Sequence, residues 1–367
     1  MGGTKSLPRF CVLGAGHGGM AMAGHLATMG VPVRIYNRSE PRIAPIQLTG
    51  GIELSGAVEG FGSVEMATTD VERAVAGADV LMVVVPANGH RFMAEKVAPH
   101  LADGQIVVLN PGRTGGAFEF RHVLRERGVK ADVIVAEAQT LIYAARAINP
   151  AQVRIHGIKN TIPVAALPGQ RTVEALKVIR RVYPQFVPGD NVLKTSLDNI
   201  GAIFHPALMV LNAARIESTR GEFQFYMEGI TPSVARILEA VDAERVAVAE
   251  ALGIRAMTAR EWLYVAYDAA GKTLYDAIRN NPGYEGITAP SIVDHRYIWE
   301  DVPMSLVPIA SLGDLVGVET PTIRALIYLA SLANATDYWA AGRTVERMGL
   351  AGLSVRDIRH LALEGEI

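Results

Sequence analysis

Two short stretches concentrate residues that could do chemistry. The first is "DHRYIWEDVP", Asp294 to Pro303, where two aspartates, a glutamate, a histidine and an arginine are interleaved with Tyr297 and Trp299. Imidazole exchanges protons near neutral pH, a carboxylate can orient it, and a guanidinium can grip an anion through two parallel hydrogen bonds. Apolar runs follow at once ("MSLVPIASLG"), yet taken alone the charged stretch reads as a solvated loop. The second is "GAGHGG", which places Gly14, Gly16 and Gly19 as G-x-G-x-x-G around His17 and Gly18.

The glycine pattern is weak by itself and strong in its setting. It follows the apolar strand "RFCVLGAG" and opens the small-residue helix "GMAMAGHLATMG". The three glycines then serve a tight turn, close backbone approach to a pyrophosphate, and close packing of helix on strand. The helix N-terminus adds unpaired N–H groups and partial positive charge. Gly14, Gly16, His17, Gly18 and Gly19 are therefore cofactor-binding candidates.

The end of the second strand selects between nicotinamide cofactors. Asp or Glu there accepts hydrogen bonds from the ribose hydroxyls of NAD. Here the segment is "YNRSE", so Asn37 and Arg38 stand where the acid is expected. A guanidinium can pair with a 2′-phosphate, which favours NADP, with NAD as the alternative that Glu40 keeps open.

The elements that must position these residues change character along the chain. Strand-like and helix-like segments alternate through "PVRIYNRS", "DVLMVVVPA", "GQIVVLNPG" and "ADVIVAEA", the pattern of a doubly wound α/β domain with a parallel sheet. "LTGGIELSG" reads as turns and a hairpin. From about Asp190 the apolar spacing becomes helical. The expected architecture is a Rossmann-type domain over residues 1–188 and an all-helical substrate or dimerisation domain over 189–367.

Ligands of open α/β sheets sit beyond the C-terminal ends of strands. That rule nominates Pro86 and Ala87 on the nicotinamide side, then Asn110, Pro111 and Gly112. Glu137, Thr140 and Tyr143, after "VIVA", become substrate-binding candidates.

Composition excludes several classes. Of 367 residues, 35 are basic and 37 acidic, and no basic block points to nucleic acid or an anionic membrane. No apolar run reaches the roughly 18 residues of a membrane helix without interruption. The single cysteine, Cys11, reads as a small core residue. The N-terminus enters the first strand with no charged-then-apolar leader, so the expected compartment is the cytoplasm. Nine scattered histidines with no HxxxH or HExxH spacing give no metal signature.

"DNIGAIFHPALMVLNAARIES" reads as a helix with Pro206 inside it. Proline lacks the N–H that would bond the Ala202 carbonyl, so a kink or break is expected at His205, pushing its imidazole out of a packed face. A capped or core histidine is the plainer reading of that segment.

At this point the chain resembles the octopine/nopaline (opine) dehydrogenase family. The resemblance runs over nearly its whole length, through "GAGHGG", "VPANGH", "NPGRTGGAFEF", "EAQTLIYAAR", "DNIGAIFHP" and "HRYIWEDVPMSLVP" in order. It implies NAD(P)H-dependent reductive joining of an amino acid to a 2-keto acid, and the reverse. It also implies His205 as the catalytic histidine, Asp301 as its partner carboxylate, and Arg296 as the arginine five residues earlier. Physics agrees with those roles: the acid fixes the tautomer, and Arg296 can hold a substrate carboxylate. Arg296 and Asp301 can converge only if their segment departs from a regular helix or strand. His295 and Glu300 are read as structural. A small-molecule amino acid and keto acid are the expected partners, and the apolar helices make a homodimer plausible.

The alternative enzyme reading is a 2-hydroxyacid or glycerol-phosphate-type dehydrogenase, with Lys194 as catalytic lysine and Asn199 assisting. A nucleotide-sensing protein without turnover is the non-enzymatic reading.

Overall fold

The computed structural model describes residues 6–365. It divides into two compact units. One runs to Thr195 and takes back the chain from His360 on; the other is Ser196–Arg359.

The first unit is built on short, apolar strands. β1 (Phe10–Leu13), β2 (Val33–Tyr36), β3 (Gly51–Gly56), β4 (Gly60–Ser63), β5 (Met66–Thr68), β6 (Val80–Val83), β7 (Ile106–Leu109), β8 (Ile134–Ala138), β9 (Tyr143–Asn149), β10 (Gln152–Ile158), β11 (Ile162–Leu167) and β12 (Phe186–Pro188) make two sheets. The larger has the order β12-β11-β8-β7-β6-β1-β2-β5. β1, β6, β7 and β8 are buried at every residue, which explains their largely unbroken apolar runs: helices cover both faces, leaving little room for a polar residue.

From β5 through β8 every pairing is parallel. The sheet is nevertheless mixed. β11 runs antiparallel to β8 and carries β12 parallel to itself. The chain between β8 and β11 is a hairpin, β9 and β10, rather than a crossover helix, so no helix returns it to the parallel direction.

That hairpin belongs to a second sheet, β4-β3-β10-β9, whose inner residues Ile52, Leu54, Val153 and Ile155 share the core with the helix His17–Thr28. Gly24 of that helix makes the close approach possible: a Cβ there would crowd Leu54 and Ile52. The expected hairpin at "LTGGIELSG" is β3 and β4.

The second unit is helical. Its longest helix, Pro232–Ala251, starts where the Thr231 hydroxyl accepts the N–H of Val234. Arg245 of this helix is fully buried, paired with Asp242 at 2.6 Å, and donates to the carbonyls of Leu197 and Met257.

Pro206 lies inside the helix Gly201–Leu211 without ending it, contrary to the expected break at His205. The N–H groups of Ala202 and Ile203 bond to carbonyls three residues back, and the proline, in the second turn, forfeits one bond, to the Ala202 carbonyl, which the helix absorbs without ending. The interruption comes at Asn212, whose φ of −112° and ψ of 13° leave the helical region before Ala213–Thr219 resumes.

Among the described residues no helix is long and apolar enough to cross a membrane, and no cluster of three or more metal-ligating side chains occurs.

Candidate active site

In the first unit, the turn after β1 is shaped by its glycines. Gly14 has φ +122°, and a Cβ on it would collide with the Val84 carbonyl. A Cβ on Gly19 would strike the carbonyl of Gly14, so the helix can lie this close to the turn only with glycine. Gly16 is different: nothing lies within 4 Å of where its Cβ would be. Its backbone conformation (φ −85°, ψ −169°) suits any residue, so protein packing does not demand glycine there. The open space beside it is where a pyrophosphate could approach the backbone closely. The turn therefore fits a dinucleotide. Gly18 faces Leu141, and the His17 imidazole accepts the N–H of Ala147 on β9 at 2.8 Å.

Asn37 and Arg38 follow β2. The Asn37 carbonyl oxygen accepts the N–H of Ala15 at 3.3 Å, tying the second strand to the glycine turn. Arg38 is exposed, its guanidinium 5.3 Å from the centre of the Phe92 ring. No carboxylate occupies position 37. Ala87 is buried after β6, and exposed Pro86 precedes it.

The residues after β8 are placed otherwise than expected. Glu137 is buried; its carboxylate accepts the N–H of Ala117 at 2.9 Å and the hydroxyl of Thr195 at 2.7 Å. It thereby anchors the start of the helix Gly116–Glu126. Tyr143 is buried too, its hydroxyl bonded to His25 at 2.9 Å and Tyr183 at 2.8 Å. Strand alternation turns it towards the core of the second sheet. Both side chains are buried and engaged by partners within this unit. Thr140 is half-buried and accepts from the Lys159 ammonium at 2.6 Å. A cavity of about 540 Å³ in this unit is lined by Arg121, Arg125, Arg171 and Pro168 among others. It opens near Val133, at the N-terminal end of β8, so it is not the dinucleotide site.

In the second unit, His205 Nδ1 lies 2.8 Å from Asp301 Oδ2, although 96 positions separate them in sequence. The Asp301 side chain is 1% exposed and that of His205 20%. A buried carboxylate on Nδ1 selects the tautomer protonated there and stabilises the imidazolium, which leaves Nε2 as the nitrogen for proton exchange. The imidazole stacks on Tyr297, with centroids 4.0 Å apart and planes 15° from parallel.

The charged stretch is helical rather than a loop. His295 caps the turn Arg296–Trp299 by accepting the N–H of Tyr297. The chain then winds through a wide, π-type turn over Val302–Leu306 into the helix Val307–Val316. Regular α-helix would set Arg296 beside Glu300, and it does: Glu300 Oε2 accepts from Nε at 2.9 Å and from a terminal nitrogen at 2.5 Å. Arg296 thus pairs with Glu300 and not with Asp301. Asp301, one residue on, turns to His205.

Of the residues in the alternative reading, Asn199 is buried and donates to the Ser305 hydroxyl at 2.8 Å. Lys194 is half-buried on the helix Val192–Leu197, its backbone N–H on the Asn191 side-chain oxygen.

A glycine turn with room for a dinucleotide suits hydride chemistry, and a carboxylate-held imidazole is a group able to exchange a proton. That division of labour defines the class: a nicotinamide-dependent dehydrogenase. Comparison with known proteins narrows it. Residues 188–334 match the family described as NAD/NADP octopine/nopaline dehydrogenase, alpha-helical domain, and residues 9–113 the NAD-dependent glycerol-3-phosphate dehydrogenase N-terminus. The chain is 42% identical over 351 residues to an opine dehydrogenase of Arthrobacter sp. (strain 1C), covering 95% of this chain and 97% of that one. An octopine dehydrogenase of Pecten maximus is 26% identical over 91% of this chain and 92% of its own. The fold superposes on octopine dehydrogenase solved with NADH and L-arginine at a TM-score of 0.82, with 24% identity and 98% of both chains covered. For a yersinopine dehydrogenase with NADP+ bound the TM-score is 0.73, at 16% identity and 97% coverage of both chains. The chain belongs to the octopine/nopaline (opine) dehydrogenase family.

Proposed function

We propose that the enzyme reductively condenses the amino group of an amino acid with a 2-keto acid, preferring NADPH over NADH, and runs the reverse oxidation. Loss of water from amine and ketone gives a C=N bond; hydride addition at its carbon and a proton at its nitrogen yield the secondary amine. When bound, the reduced nicotinamide supplies the hydride. The chain's own contribution is the proton and the grip on substrate.

His205 holds the transferable proton at Nε2, and Asp301 orients and stabilises the imidazolium through Nδ1. Arg296 binds a substrate carboxylate. Its Nε edge is taken by Glu300, so the carboxylate meets the remaining edge of the half-exposed guanidinium. The 2.8 Å contact between His205 and Asp301 carries this reading.

Arg38 is assigned to the 2′-phosphate, and the glycine turn with Pro86 and Ala87 to the rest of the dinucleotide. Thr140 is retained as a substrate contact. In place of the expected division at 188/189, we take the unit that runs to Thr195 and regains the chain from His360 as the dinucleotide domain, and Ser196–Arg359 as the substrate domain. A lone cysteine agrees with a cytoplasmic enzyme, and exposed Tyr328, Leu329 and Leu332 on the helix Pro321–Ala333 agree with a homodimer, which light scattering would measure.

The test is a spectrophotometric screen of amino acids against pyruvate, 2-oxoglutarate, oxaloacetate and glyoxylate, with NADH and NADPH in parallel. Oxidation should require both amine and keto acid. Equal oxidation with the keto acid alone would replace this reading with a hydroxyacid dehydrogenase. His205→Ala should lower turnover by roughly 10²–10⁴.

A further inference from the structure

We infer that Tyr297 is a positioning residue for the proton donor, fixing the tilt of the His205 ring through its aromatic face. The inference rests on the role proposed for His205. The hydrogen bond to Asp301 fixes one ring atom and leaves the imidazole free to swing about that bond. Something must hold it along the perpendicular. Tyr297 does so, stacked at 4.0 Å and 15°.

Tyr297 is itself held by Phe225 and His295. Phe225 stacks on it at 5.8 Å and 20°, and the His295 ring meets it edge-on at 4.6 Å. Its own N–H is bonded to His295 Nδ1 at 3.3 Å. Behind this column, Tyr226 stacks on Tyr284 at 4.2 Å, and both meet Phe204, the residue before His205. The stack is therefore backed by packed rings and does not yield as a lone exposed ring would.

The titratable groups near this pair include Asp294 beside His295, and Tyr267 beside Tyr284 in the aromatic wall. Asp301 lies on Nδ1, Arg296 is neutralised by Glu300, and burial, then Arg296 and His205, hold His295 below its ordinary range. Tyr226 and Tyr284 are kept protonated by burial. None of them duplicates the face that Tyr297 presents.

The experiment compares Tyr297→Leu with Tyr297→Phe in the full-length enzyme. Removing the face should lower kcat by about ten- to a hundredfold, the scale of a small misplacement of a catalytic group, with cofactor affinity by fluorescence titration unchanged. Tyr297→Phe keeps the ring and should recover turnover to within about threefold. Equal losses in both variants, or no loss in Tyr297→Leu, would overturn the inference. Should Tyr297→Leu not fold, NMR of the wild type decides: a ring stacked this closely shifts the His205 ring protons upfield, and ordinary shifts would refute the stack. If His205→Ala turned over normally, the proposed function would fall, and this role with it, whatever the Tyr297 variants did.

Discussion

His205 and Asp301 form a 2.8 Å pair in which the acid is almost wholly buried and the imidazole one-fifth exposed. Such an arrangement does two things at once. It denies the carboxylate to solvent, so its charge acts on the imidazole undiluted, and it leaves the imidazole able to meet a substrate. Asp301→Asn keeps the shape and removes the charge. Turnover should fall by roughly 10²–10⁴, while cofactor binding by fluorescence stays within error. Full activity in this variant would mean that the pair serves only the fold.

The glycine turn separates two demands that sequence motifs merge. Gly16→Ala meets no protein atom, so its thermal stability should match the wild type to within about 0.5 kcal/mol. Its KM for cofactor should nevertheless rise about tenfold or more, because the added methyl stands where the pyrophosphate must approach. Gly19→Ala collides with the Gly14 carbonyl and should lose stability as well as binding. Calorimetry and cofactor titration on both variants test the distinction; unchanged affinity in Gly16→Ala would remove the dinucleotide from this turn.

Arg38 is the cofactor discriminator in this reading. Its guanidinium rests near the Phe92 ring and has no acid beside it at position 37. Charge-assisted hydrogen bonds to a phosphate contribute about 1.5–3 kcal/mol, so Arg38→Ala should raise KM for NADPH by roughly ten- to a hundredfold. KM for NADH should change little. An unaltered ratio between the two cofactors would assign the 2′-phosphate elsewhere, or show that the enzyme prefers NAD.

Much of this was legible in the sequence, for a physical reason. Buried parallel strands must be apolar throughout, and a pyrophosphate turn must be glycine, so β1, β6, β7 and the "GAGHGG" turn announce themselves. The second sheet showed only in part: "LTGGIELSG" marked the β3–β4 hairpin, but β4 itself is "GFGS", with no apolar alternation to see. Glu137 and Tyr143 sat at the right distance after a strand to be substrate contacts. Only the register of β8 and β9 reveals that both side chains turn inward to Thr195 and Tyr183. The pairing of His205 with Asp301 spans 96 positions and left no local periodicity; family resemblance carried it. Tyr297 was visible only as one aromatic among charges. Its value comes from stacking partners in distant segments.

Arg245 gives the fold its own test, away from the proposed chemistry. It is fully buried against Asp242, whose other oxygen accepts the N–H of Ala259. Arg245→Met leaves that carboxylate buried without its cation and two carbonyls without a donor. Urea denaturation should show a loss of about 3–5 kcal/mol, the cost of breaking a buried pair from one side. A loss under about 1 kcal/mol, typical of an exposed pair, would mean that water reaches Asp242.

Alkaline pH should destabilise the first unit through groups that burial keeps protonated. Burial pushes the Cys11 thiol up to about 12, and burial likewise raises the hydroxyls of Tyr143 and Tyr183 above their ordinary range. The sign follows from proton counting. Above its unfolded value each group releases a proton when the chain unfolds and retains it while folded, so the native state binds more protons and stability falls as pH rises. For the thiol this begins near pH ~9, and each group contributes up to about 1.4 kcal/mol per pH unit until its folded value is passed. Thermal melts between pH 8 and 11 should therefore decline with a steepening slope past the tyrosine range. The thiol should also resist alkylation at pH 8 in the native protein and react fully in denaturant. Rapid native labelling, or a flat melting temperature across that range, would place Cys11 and the two tyrosines in contact with water.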